Sequence, residues 1–217
     1  MLLALGLIGF LALAATIGVR WMARRVDSLG RIAPFPRISV GLSLVLALGC
    51  GVPMAVQARL EDRLEAAASR VAGGPVDVYC QELEQAFVDV GPELGTVAWG
   101  PDGVPERSTL IRFGACGDLR TWLGSDKAEP TLDQVVAVHV LTHETMHMVG
   151  LKNEARAECA AVQRDAVMAE ALGASPGEAR ELAHRYWTEA YPRMPDRYVD
   201  GCGPGGEYDE GLPTAPW

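Results

Sequence analysis

From Pro130 to Glu158 the chain reads PTLDQVVAVHVLTHETMHMVGLKNEARAE. Thr131 and Gln134 have the S/T-x-x-Q spacing of a helix N-terminus, where the two side chains cap the first turn reciprocally. The residues from Val135 to Leu141 are almost all apolar, and a helix apolar on most of its sides is a buried one. It is expected over 132–149, with Gly150 as its stop. Within it stand His139, His143, Glu144 and His147. A buried apolar helix does not carry such groups unless something satisfies them.

The sequence His143-Glu144-Thr145-Met146-His147 suggests what does. Histidines at i and i+4 lie on one helix face, one turn apart, so their ring nitrogens can converge on a single ion. Glu144 lies about 100° further around the helix. It is placed to reach a water on the ion rather than the ion itself. That is the arrangement of a hydrolytic zinc site: the ion lowers the pKa of its water, and the carboxylate carries the proton to a leaving amine. The expectation is therefore one Zn2+ per chain, a peptide or protein substrate, and Glu144 as general base.

A third ligand is required. The pattern H-E-x-x-H-x-x-G-x-x-H of metzincins fits as far as Gly150, but Asn153 stands where the third histidine belongs. The following Asn153-Glu154-Ala155-Arg156-Ala157-Glu158 resembles the second motif of gluzincins, the thermolysin-like class. That resemblance covers residues 131–172; more loosely, the chain resembles uncharacterised bacterial membrane-anchored proteins that pair H-E-x-x-H-x-x-G with E-A-x-A-E-C. The resemblance implies that Glu154 is the third ligand and that Glu158 orients His143 or His147. Glu158 replaces the usual Asp, and helical spacing puts both acids on one face, so the two roles could be exchanged. It also implies a disulfide at Cys159 and an oxyanion-stabilising His or Tyr, for which His184 and Tyr186 are the candidates. His139, a turn before His143, reads as a packed or supporting residue, or as an alternative ligand.

The chain has 217 residues and a net charge of -9. It carries no Lys/Arg stripe, which argues against nucleic acid as a partner. Residues 1–19 and 38–58 contain no charged side chain, and each approaches the roughly 20 residues that span a bilayer. No basic residue precedes the first, as one would in a signal peptide. Arg20, Arg24, Arg25, Arg31 and Arg37 lie between them, offset only by Asp27. Such a loop, 20–37, stays in the cytoplasm. The expectation is a two-helix protein of a bacterial cell membrane, its N-terminus and everything after residue 58 outside. Cys80, Cys116, Cys159 and Cys202 fall in that outer part and suggest two disulfides, with three connectivities open. Cys50 lies in the second apolar stretch as a lone thiol.

The fold expected is α+β. An amphipathic helix over 59–73 carries Leu60, Leu64 and Val71. Strands over 76–80, 96–99 and 109–113, with a turn at 100–103, suggest a small antiparallel sheet. The strand 109–113 is either interior or pairs with an extended peptide. Helices follow over 153–172 and 176–191, the latter capped by Ser175. A zincin-like domain is thus expected over 59–192, then a Gly/Pro/acid-rich tail, 193–217, on the surface or disordered. Besides a peptidase, two readings stand: a non-catalytic metal-binding module for partner binding, and a disulfide-bonded helical membrane protein without metal.

Overall fold

The computed structural model describes residues 2–26, 29–88, 91 and 93–217. Asp27, the acid of the basic loop, lies outside them. The chain forms two compact units, residues 1–59 and 60–217.

In the first unit, α1 (Leu2–Arg24) is followed by the beginning of α2 (Arg37–Val71). The turn between them is held by hydrogen bonds from Ala33 N–H to Arg25 O and from Trp21 Nε1 to Ala33 O. The helices approach closely at a glycine: a Cβ on Gly6 would stand 2.9 Å from Cys50 Sγ. Cys50 is unpaired. Both helices are long and apolar enough to cross a membrane. Leu5, Ile8, Leu42, Val45 and Leu48 are exposed, and the apolar spans are only 6% and 11% buried. A core helix of a soluble domain would hide such residues. The expected second span and the amphipathic segment after it are one continuous helix, α2.

The second unit is α+β. The end of α2 supplies Leu60, Leu64, Ala67 and Ala68 to its core, at helical spacing. Glu65 and Glu61 of the same helix accept hydrogen bonds from Val78 N–H and Cys80 N–H. Three strands form the sheet, β1 (Asp77–Cys80), β2 (Gly95–Trp99) and β3 (Pro105–Ile111), in the order β1-β3-β2. β2 is antiparallel to β3, but β1 is parallel to it, so the antiparallel expectation is corrected to a mixed sheet. The turn closing Gly100 N–H on Val104 O folds β2 back on β3. β1 is left with the other edge of β3, reached through α3 (Leu83–Ala86) in the parallel sense. Residues 109–111 of the expected strand 109–113 therefore lie in the central strand, and β2 is an edge strand among the described residues.

Phe113, expected to end a strand, opens α4 (Phe113–Leu123). Its buried residues Ala115, Cys116, Leu119, Trp122 and Leu123 recur at helical spacing, a pattern diluted in the sequence by Gly114 and Gly117. The Cys80–Cys116 disulfide ties α4 to the end of β1.

α5 (Leu132–Met148) runs through the core with 14 of its 17 residues buried. Both arms of the Thr131/Gln134 capping box are made. The helix expected over 153–172 is broken into α6 (Glu154–Val162) and α7 (Asp165–Ala171). At the break, Gln163 spends its amide on the C-terminal segment, donating to Tyr208 O and accepting from Glu210 N–H. α8 (Pro176–Arg185) passes into a π turn (Tyr186–Ala190) and a 3-10 turn (Tyr191–Arg193), then α9 (Asp196–Val199). Of the two alternatives expected for the tail, surface or disorder, it takes the first and is folded onto the domain. The Cys159–Cys202 disulfide, the Arg164–Glu210 ion pair and the packing of Trp217 on Trp187 hold it. A segment too poor in apolar residues to make its own core borrows one through these staples.

Candidate metal centre

The site begins where α5 ends. Gly150 has φ +105°, a conformation a side chain resists. Gly150 N–H donates to His147 O and Leu151 N–H to Met146 O, the paired bonds of a Schellman stop. The reversal has two consequences. It brings Leu151 O to 2.6 Å from His147 Nδ1, so that this nitrogen carries the proton and Nε2 is left as the lone-pair donor. It also delivers Asn153 as the cap of α6, its Oδ1 accepting from Arg156 N–H. Glu154, in the first turn of α6, then faces the last turn of α5.

His143 Nε2 and His147 Nε2 are 2.9 Å apart, and Glu154 Oε2 lies 3.3 Å from each. Ligands about 2.0–2.1 Å from a tetrahedral zinc stand roughly 3.3 Å from one another, so the three atoms fit such an ion. The set is two imidazoles and a carboxylate, donors that could hold a borderline-soft metal ion. The Glu154 side chain is 42% exposed, so the group is reachable from solvent. A second group, His139, His143 and Glu158, also has ligand atoms close together. It fits an ion poorly, because both nitrogens of His139 are engaged by carboxylates and all three residues are buried.

Behind His143 lies a buried polar chain. His143 Nδ1 is 2.9 Å from Glu158 Oε2, in ion-pair range but turned off the line of an N–H···O bond. Glu158 also takes His139 Nε2 at 3.0 Å and the Tyr186 hydroxyl at 2.6 Å. His139 Nδ1 in turn meets Asp165 Oδ2 at 2.8 Å. Burial works against charging the His139 ring, but Asp165 and Glu158 outweigh it and push its pKa up to about 10. Burial opposes charging His143 too, and Glu154 and Glu158 raise its pKa to about 9. Hydrogen bonds from His143 and His147 lower Glu154 to about 2. A cation entering this site displaces protons.

Glu144 stands on the neighbouring face. It is buried, its Oε2 has no hydrogen-bond partner, and burial raises its pKa. β2 makes room for it: a Cβ on Gly95 would stand 2.5 Å from Glu144 Cγ. Glu144, both histidines and Glu154 line one cleft of about 480 Å³, walled by β2, by Val136 and Val140 of α5, and by residues 194–198. Trp99 meets His147 edge-on at 6.4 Å, and the Tyr198 ring is 5.9 Å from that of His143.

The structure thus brings His143, Glu144, His147 and Glu154 together and sets Glu158 and His139 behind them. Tyr186 is buried, stacked on His139 and bonded to Glu158. His184 does not line the cleft; its ring meets Pro216 O. Sequence reasoning missed Gly95, Trp99, Asp165 and Tyr198. Asp165 alone left a trace, as an acid on the segment that also carries Glu154 and Glu158. Comparison with protein-family profiles, curated proteins and solved structures finds no match to this chain.

Proposed function

We propose that this protein is a membrane-anchored zinc-dependent peptidase acting outside the membrane. The observation that carries the proposal is the donor triangle of His143, His147 and Glu154 beside the unpartnered, buried carboxylate of Glu144. A purely structural ion has no use for such a carboxylate, and an unpaired buried acid is costly. When bound, zinc polarises a peptide carbonyl and acidifies a water. His147, held at Nδ1 by Leu151 O, His143, whose Nδ1 stands beside Glu158, and Glu154 would hold the ion. Glu144 takes the proton of the attacking water and returns it to the leaving nitrogen. Its burial suits this work, since a raised pKa favours keeping the proton between the two steps. β2, an edge strand among the described residues, offers main-chain hydrogen bonds to an extended peptide. Tyr198, rather than Tyr186 or His184, is the phenol on the open side, where it can donate to the carbonyl oxygen.

α1 and the first part of α2 serve as the anchor. The five arginines between the apolar segments favour the cytoplasmic side, and the two disulfides suit an oxidising exterior. The test uses the full chain in detergent, with zinc content and peptide-library cleavage measured together. One zinc per chain with cleavage is expected. Glu144→Gln is expected to keep the zinc and lose about 10²–10⁴-fold in rate. Undiminished cleavage by Glu144→Gln would sink the proposal; zinc without any cleavage would favour a non-catalytic module.

A further inference from the structure

The polar cluster behind His143 is larger than one orienting carboxylate requires. The His139 ring is held on three sides: by Asp165 Oδ2 at 2.8 Å, by Glu158 Oε2 at 3.0 Å, and by the face of Tyr186, with centroids 3.5 Å apart. His139, Glu158, Asp165 and Tyr186 are each 2% exposed or less. Packing alone does not call for this. An apolar side chain at 139 would avoid burying a histidine between two acids, with the desolvation that entails.

We infer that Asp165, His139 and Glu158 form a buried relay that positions the His143 ring and thereby tunes ion affinity, without touching ion or substrate. The inference rests on the metal site proposed above. Glu158 is pinned at both oxygens, Oε1 by the Tyr186 hydroxyl and Oε2 by His139 Nε2. The same Oε2 stands 2.9 Å from His143 Nδ1. A displacement of His139 therefore moves the atom against which the His143 ring rests. That ring's other nitrogen is one corner of the donor triangle. Asp165, at the start of α7, fixes the far side of His139 and so joins a third helix to the geometry at the ion.

The experiment measures zinc affinity by competition with a chromophoric chelator, and the visible spectrum of the cobalt-substituted full chain in detergent. His139→Leu and Asp165→Asn are expected to bind zinc about 10–100-fold more weakly, the range for outer partners of metal ligands, and to alter the cobalt spectrum. His139→Gln, which retains a donor toward Glu158, is expected to recover part of the loss. Leu119→Ala, a core truncation elsewhere, is expected to lower the melting temperature with affinity and spectrum unchanged. Wild-type affinity and spectrum in a folded His139→Leu would overturn the relay; if that variant does not fold, the near-isosteric Asp165→Asn decides. Two zinc ions per wild-type chain would also overturn it, by placing an ion among the relay residues. A wild-type chain that binds no zinc fails the metal site itself, and the relay with it.

Discussion

His139 and His147 sit two turns apart on the same stripe of α5, yet their surroundings differ at every point. His139 has a carboxylate on each ring nitrogen and an aromatic ring on its face, and it is buried although it borders the same cleft. His147 has one backbone carbonyl on Nδ1, while its Nε2 faces His143, Glu154 and a cleft. Acids on both nitrogens raise an imidazole's pKa and leave neither nitrogen free. A carbonyl on one nitrogen leaves the other as a lone-pair donor. Residue type and helical spacing are equal at the two positions. The acceptors supplied by neighbouring segments set which ring nitrogens are engaged by acids and which are left open, and on the proposed reading this separates an ion-holding histidine from a supporting one.

The comparison can be broken at its acids. Glu154→Gln, which removes a donor from the triangle, is expected to weaken zinc binding by more than about 100-fold, and Glu158→Gln by about 10–100-fold, as for an outer partner. Chelator competition on both variants checks the order; the reverse order would exchange their roles. pH gives a second way in. His139 has a folded pKa raised to about 10 from 6.5. The groups facing it are Asp165, Glu158, Tyr186 and His143. A raised pKa means stability that is full below the unfolded value and is lost as pH rises through the folded one. Chelator-treated protein is therefore expected to lose melting temperature between pH 6.5 and 10, and His139→Gln to flatten that slope. The smallest effect is expected at the turn. Gly150→Ala forces a side chain onto φ +105° and should cost about 1–2 kcal/mol. Thermal unfolding would measure that, and a parallel fall in zinc affinity would tie the Schellman stop to the site.

What the sequence determined by itself was local. The capped, buried helix around 132–148, its histidines on one face, the glycine stop and the two apolar spans all follow from periodicity and i, i+4 geometry within single segments. Cysteine parity pointed to two disulfides. α4 was hidden because two glycines weakened its pattern, and the break in α6–α7 because its cause is Gln163 bonding to Tyr208 and Glu210, far along the chain. The tertiary structure alone decided that Cys80 pairs with Cys116 and Cys159 with Cys202, and that β2, an edge strand among the described residues, lines the cleft. It also decided that Glu154 reaches the histidine pair while Glu158 stands behind it, and that Tyr198 comes from a tail with no pattern of its own. These are contacts between segments far apart in sequence. They are set by how packed elements close on one another, and that closure leaves no period in the chain to read.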